Sequence, residues 1–339
     1  MTQENSYHRP RLFIDDNEVL YSISGDIKFN SSGNINSMNV TINSVDVQIE
    51  SLFNKSIKLY LNDGSEDSVP IFNGYIKEVK PSENNVKLTA VDIRDLLQNA
   101  RITLTDFDNY DGFTIGQFLH TYISDFINVN KTLIGLNMLK DIHPPIYMTG
   151  ERGDNINVLA LIKKIINKAI DDDTLETPLS YFLDVYEDGV NSNIVITKDK
   201  LLTTVPSYVF SFADGLENYD GKKRNPANTV FYEKSYFAYT NRPTGITPTT
   251  ITKQKDSKTT RDLGLKQILL DQSQKEEISV TINKSKDIGL GSIIHIDVDE
   301  EDIRGAHRVQ GKKISFGKSS KCTLQLNKKA PILGKFLNQ

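Results

Sequence analysis

The stretch Ile71–Asn99, IFNGYIKEVKPSENNVKLTAVDIRDLLQN, decides the fold class. It reads as two strands joined by a short polar turn, followed by a helix. In the second strand Val86, Leu88 and Ala90 share one face while Lys87 and Thr89 share the other, the period-two pattern of a half-buried strand. At Asp92 the period changes: Ile93, Leu96, Leu97 and Ala100 fall at i, i+3, i+4 and i+7, one face of a helix. Asp92 is placed to cap that helix, since its carboxylate can accept the free N–H groups of the first turn. Nothing in the stretch carries catalytic chemistry.

Working outward, the first hundred residues read as mostly β. Leu12–Ile14 and Val19–Ile27 are strand-like, Met38, Val40 and Ile42 alternate, and Ile57, Leu59 and Leu61 alternate ahead of an Asp63–Gly64 turn. Five or six short strands separated by Asn, Gly and Ser turns suggest a small barrel or sandwich, closed by the helix from Asp92. The next hundred residues change character. Ile115, Phe118, Leu119, Tyr122, Ile123 and Phe126 form a helical stripe, INVLALIKKIINKAI forms a second helix, and SYFLDVYEDGVNSNIVITKD forms a hairpin bent at Asp188–Gly189. From Tyr208 strands return, and YTNRPTGITPTTITKQKDSKTTRD (Tyr239–Asp262), rich in Thr and Lys, reads as an extended arm. A helix is expected over about Arg261–Gln272. Alternation then resumes in Ile278, Val280 and Ile282, in Ile294, Ile296 and Val298, and in Cys322, Leu324 and Leu326. The expected organisation is α+β and mostly β, with a first β domain over 1–104, a small α/β insert over 105–206 and a second β domain over 207–335 carrying the arm at 239–262. The two β parts are candidates for a divergent pair.

Composition bounds the function. At 339 residues the chain exceeds one comfortable core. Its single cysteine, Cys322, excludes an internal disulfide framework and any Cys-based zinc cluster. The segment MTQENSYHRPRLF shows no secretory signal and no apolar run is long enough to span a bilayer, so a chain folded in a cytoplasm is expected. Net charge is −4 but unevenly placed: Ile303–Gln339 holds nine Lys or Arg and no acid, leaving 31 basic against 44 acidic side chains elsewhere. Within this basic tail Lys312, Lys313, Lys318 and Lys321 are candidate docking residues for an acidic partner. The competing reading is a solvated strand edge protected by lysines.

No catalytic or metal constellation is found. His8, His120, His143, His295 and His307 show no i, i+4 pairing and no HExxH, and a structural role is expected for each. The acidic stretch from Asp297 departs from a calcium loop, with Asp302 where Gly is needed and Arg308 in place of the closing Glu. There is no nucleophile elbow, Walker loop or dinucleotide fingerprint. Cys322, alternating with Leu324 and Leu326, reads as a small core residue. No cofactor, metal or catalytic residue is therefore expected, and the chain reads as a structural or binding protein.

The pattern F-x-G-x-I at Phe72, Gly74 and Ile76, then a second strand through Val86, Leu88, Ala90 and Asp92 into a short helix, resembles the hub proteins of phage tails and baseplates. GFTIGQFLHTYISDF, YFLDVYEDGVNSNIVIT, NPANTVFYEKS, RDLGLKQILLDQSQKEEISVTINKSKDIGLGSIIHIDV and HRVQGKKISFGKSSKCTLQLN resemble later parts of the same family, in order. The resemblance implies two tail-tube-like β-barrels separated by an insert, and three copies forming a ring. That ring would adapt a hexameric tail tube to a threefold central spike. It also implies other baseplate proteins and the tape measure protein as partners, passage of DNA without tight binding, and a place in the virion tail. The Tyr239–Asp262 arm has no counterpart in the family. The alternatives are a tail-associated cell-wall hydrolase and a receptor-binding tail module; the first needs paired carboxylates or a metal, and the second usually exposes aromatic platforms, whereas this chain has no Trp.

Overall fold

The computed structural model describes residues 10–30, 35–43, 51–61, 69–104, 153–168, 181–187, 192–198, 206–223, 229–232, 235–238, 248–250, 260–261, 264–265, 268, 276–283, 288–299, 303–317 and 321–327. The first group of elements is β1 (Arg11–Ile14), β2 (Asn17–Glu18), β3 (Ile23–Asn30), β4 (Ser37–Ile42), β5 (Ser56–Tyr60), β6 (Phe72–Ser82), β7 (Asn85–Val91) and helix α1 (Arg94–Asn99). The middle group is β8 (Arg101–Leu104), β9 (Gly153–Asn157), helix α2 (Val158–Lys168), β10 (Tyr181–Glu187) and β11 (Ser192–Lys198). The last is β12 (Tyr208–Phe210), β13 (Leu216–Lys223), β14 (Thr229–Tyr232), β15 (Ser235–Ala238), β16 (Pro248–Thr250), β17 (Glu276–Ile282), β18 (Ile293–Ile296), β19 (Gly305–Phe316) and β20 (Lys321–Asn327).

The chain is mostly β. The alternation of Val86, Leu88 and Ala90 buries these three while Lys87 stays exposed. The polar turn Glu83–Asn84 joins β6 to β7 with Ser82 opposite Asn85. The same logic builds β4, β5, β17 and β20, whose buried residues recur at every second position. Each fully buried aliphatic side chain of this kind contributes about 1.5–3 kcal/mol relative to exposure.

The two β parts share one sheet. A 13-stranded sheet runs β13-β17-β20-β19-β3-β4-β7-β6-β5-β1-β2, with β18 beside β19 and β12 beside β18. Its centre is an antiparallel pairing of β3 with β19, Ile27 opposite Ile314, so strands from the two ends of the chain share one ladder. Two hydrophobic clusters lie along it. One gathers Leu12, Ile27, Met38, Leu59, Ile76 and Leu88 with Phe316 of β19. The other gathers Val280, Ile294, Ile296, Val309, Leu324 and Cys322. Phe29, Leu61 and Ile71 pack against both. No pairing among the described residues closes either half of the sheet on itself.

Other expectations meet the structure element by element. The strand expected over Val19–Ile27 begins only at Ile23, and Asp15 and Asp16 turn the chain with φ of 47° and 60°. The second helix starts at Val158, since Gly153–Asn157 pairs with Arg101–Leu104 as a strand. The β10–β11 hairpin forms as expected, Asp184 opposite Val195. Within the Tyr239–Asp262 arm, Pro248–Thr250 forms a strand that runs parallel to Thr229–Phe231, so this part is ladder rather than loop. The stripe from Ile115 to Phe126 and the turns at Asp63–Gly64 and Asp188–Gly189 lie outside the described residues.

Candidate functional site

Two features concentrate polar chemistry: the junction where the opening hairpin meets α1, and the basic strands β19 and β20. At the junction β6 carries a bulge. Its register against β7 shifts between Ile76 and Glu78, leaving Lys77 as the extra residue. A bulge re-aims a side chain, and here the Lys77 ammonium reaches Asp95 of α1 at 2.5 Å. Tyr75 donates its hydroxyl to the same carboxylate, and Asn99 Nδ2 donates to it at 3.0 Å. Asp95 is buried although its lysine partner is half exposed. Burial first, and then the hydrogen bond to Asp95, push the Tyr75 phenol well above its ordinary range.

One turn earlier Asp92 and Arg94 are both buried and ion-paired, with Arg94 Nη2 2.6 Å from Asp92 Oδ2. Asp92 also accepts the backbone N–H of Asn36 and of Arg94, each at 2.9 Å. The capping role expected of Asp92 is thus met in a different way. The residue at the cap position is Ile93, which makes no side-chain cap bond, and the Asp92 carboxylate serves the first turn from one residue further out. Such a pair adds little net stability but is costly to break, because one charge would stay buried alone. Asn157 ties α2 to this corner: its Oδ1 accepts from Ala160 N–H at 2.9 Å, and its amide donates to the Gln98 carbonyl. Burial, with a smaller contribution from Arg94, lowers the pKa of Lys163 on α2. Each carboxylate at the corner is engaged by donors, so the arrangement fixes α1 and α2 to β6. The signal in the sequence is DIRD, three charges crowded into the first turn of an otherwise apolar stripe.

The lysines singled out for docking are spread over both faces of β19 and β20. Lys312 is half-buried; it donates to the Ile288 carbonyl at 2.9 Å and lies over the Phe29 ring. Lys313 pairs with Asp26 of β3 at 3.3 Å, across the central joint of the sheet. Lys321 pairs with Glu217 at 3.0 Å on the surface. Lys318 lies outside the described residues. Of the histidines, His307 is buried with its Nε2 2.6 Å from the Ile303 carbonyl, and His295 is half-buried on β18; His8, His120 and His143 lie outside the described residues. Cys322 is a free, buried thiol in the second cluster. Among the described residues no group of His, Cys, Asp and Glu is placed to hold a metal, and no helix is long and apolar enough to cross a membrane.

No family model and no curated protein matches the chain. Solved structures do. A tail protein from Neisseria meningitidis superposes with a TM-score of 0.72 at 14% identity, covering 97% of this chain and 98% of that one. A prophage tail protein from Shewanella oneidensis superposes with a TM-score of 0.67 at 11% identity, over 96% and 99% of the two chains. An Escherichia coli component of the type VI secretion system, itself described as similar to T4 bacteriophage tail proteins, superposes at 0.60 with 10% identity over 93% and 76%.

The chain has the fold of phage tail proteins. Within this tail-protein fold the F-x-G-x-I pattern has a steric cause at its centre. A Cβ on Gly74 would lie 2.1 Å from the Val91 carbonyl oxygen, so only glycine lets β6 approach the end of β7 here. The hairpin and helix are then locked by the Asp95 cluster, and the tail-protein fold gains a rigid corner at the exit from its first β half.

Proposed function

We propose that the chain is a structural virion protein, the hub at the junction of tail tube and baseplate, and not an enzyme. On this reading the β regions 1–104 and 207–335 are tube-like units around the insert 105–206. Three copies form a ring that matches the hexameric tube on one face and the threefold spike on the other, with DNA passing through the middle. The observation that carries the reading is the likeness to tail proteins over nearly the whole length of both chains, TM-score 0.72 over 97% and 98%. The β3–β19 ladder supports it, because one chain then presents two β units side by side in a single sheet. Partners on this reading are further copies of the chain, the tube protein, the spike protein, other baseplate proteins and the tape measure protein. The chain is made in the host cytoplasm and resides in the tail. An acidic body suits a channel that must pass DNA without holding phosphate, and the basic segment with Lys312, Lys313, Lys318 and Lys321 then faces a neighbouring tail protein. The test is the mass of the purified protein by light scattering, alone and mixed with its spike. A trimer, or a monomer that trimerises with the spike, is the expected result. A monomer at every concentration with and without the spike rejects the hub.

A further inference from the structure

Large apolar side chains left in water fall into two groups. Leu20, Tyr21, Phe53 and Val69 belong to the first half of the sheet, and Val209 and Phe212 to the second. The charges beside the first group are balanced, since Arg11 pairs with Glu18, Lys55 with Asp15 and Lys58 with Asp16. The second group has a different setting. Val209, on β12, is 54% exposed and Phe212, just beyond it, is 59% exposed. The Phe212 ring stands 5.9 Å from that of Tyr219, which packs against the second hydrophobic cluster. Phe212 therefore sits at the rim of that cluster with one side in water.

β12 is also an edge. It runs parallel to β18, Val209 opposite His295, and among the described strands it has no other partner. An edge that carries exposed apolar side chains invites pairing with other chains, and native proteins cover such edges. Acids surround this one. Asp214, Glu217 and Asp220 lie in the turn after β12 and on β13, all exposed. Asp297 donates its backbone N–H to the Phe210 carbonyl at 2.8 Å, and Asp299 follows it. Even with Arg304 paired to Asp297 and Lys321 to Glu217, acids are in excess here among the described residues.

The segment that follows β20 has the opposite character. KKAPILGKFLNQ (328–339), outside the described residues, holds Lys328, Lys329 and Lys335, no acid, and the apolar Ile332, Leu333, Phe336 and Leu337. It starts close by. Asn327 lies opposite Arg308 and Arg308 opposite Ile293, whose carbonyl accepts the Ser207 N–H at 2.8 Å, one residue before β12. Asn327 is thus separated from β12 by three strand spacings, about 14 Å. Phe212 lies a further five residues along the chain from Ser207, about 17 Å at the rise of a strand. Together these displacements amount to about 22 Å. An extended chain covers about 3.3 Å per residue, which lets Leu333 reach about 20 Å from Asn327 and Phe336 about 30 Å.

We propose that residues 328–339 fold back over the open edge of β12 in the same chain. Ile332, Leu333 and Phe336 then cover Val209 and Phe212, and the lysines lie among the acids around them. Apolar contact holds the segment there. Charge selects this edge over the surroundings of Leu20 and Tyr21, where acids and bases cancel. The segment thereby shields β12 from pairing with other chains. It also makes Val209 and Phe212 a surface that another protein reaches only by displacing the segment. Such a protein must itself bring apolar side chains flanked by bases.

The test is limited trypsin digestion of the full chain, with loss of the segment followed by intact mass. Cleavage after Lys328, Lys329 and Lys335 reports how often the segment is lifted, since cutting of a locally opened segment tracks the open population. Wild type is compared with Phe212→Ser and with Leu333→Ser. The second substitution changes the segment alone. Shielding of the buried Cys322 from thiol reagents shows that each variant keeps its fold. The expected result is cleavage roughly tenfold faster in both variants, at a rate independent of protein concentration. A rate unchanged by either substitution overturns the proposal. Protection that grows with protein concentration overturns it too, because the segment then covers another copy. Should Phe212→Ser lose its fold, Val209→Ser takes its place with the same expected result.

Discussion

Tyr75 shows how a single side chain ties stability to pH at the corner of the molecule. Its hydroxyl donates to Asp95, and burial together with that bond raises its pKa above the ordinary 10.0. The unfolded chain loses the phenol proton near its ordinary value while the folded chain keeps it. The stability Tyr75 contributes is therefore complete below pH 10 and is lost as pH rises through the folded value. Tyr75→Phe is expected to lose about 1.5 kcal/mol at neutral pH, one hydrogen bond to a carboxylate. The variant should also show a shallower loss of stability under alkaline conditions. Urea unfolding at neutral pH and at about pH 11 checks both; a variant with the wild-type pH slope would show that Tyr75 is not the titrating group. At this scale the sequence was only partly legible. Asp92 stood out as a helix cap, because Asp before an apolar stripe signals that chemistry. Its pairing with a buried Arg94 did not, because a charge in a helix normally points to water, and no local pattern marks one that turns inward.

Among elements, β6 does three jobs along its length: it pairs with β5, it bulges at Lys77 to hold α1, and it ends, around Pro81, on an edge that no other described strand covers. Replacing Pro81 with isoleucine restores one backbone donor to this edge. Self-association in sedimentation or light scattering is expected to tighten about fivefold, the worth of one hydrogen bond. No change would show that this edge is not where copies meet. The strands themselves were easy to read, since each buries one face and so alternates with period two. Asn85–Val91 and Lys321–Asn327 fall where the alternation put them, and Phe72–Ser82 and Tyr181–Glu187 where a strand was read ahead of a turn. The strand at Pro248–Thr250 was hidden because prolines and threonines with few apolar anchors carry a loop signature, and its parallel partner lies on another segment. The break at 19–22 was hidden for a related reason: the left-handed pair Asp15–Asp16 is fixed from β5 and its approach, Asp15 by Ser56 N–H and Lys55 and Asp16 by Lys58.

For the whole molecule, the expected division into β, mixed and β parts rests on changes of hydrophobic period along the chain. That the outer parts share one sheet does not, because pairing between the two ends leaves no local trace. The basic tail is a property of this scale too, and Lys321 is the residue on which to test it. Its pair with Glu217 is exposed, so Lys321→Glu should cost no more than about 1 kcal/mol and leave the fold intact. Weaker capture of the neighbouring tail protein, with a smaller dependence on salt, is expected in a pull-down. Unchanged capture removes Lys321 from any docking role. Lys313 is unsuited to the same test, because its reversal would strike the internal joint through Asp26.

The ladder between β3 and β19 also governs how the protein comes into being. β19 and β20 leave the ribosome long after β3, so the first half of the sheet must wait with β3 uncovered until they are made. Contacts this distant in sequence form slowly. During that interval the waiting edge is a template for β19 of a neighbour that has not yet docked its own. In a cell making many copies at once, the same ladder that joins the two ends of one chain can exchange them between two.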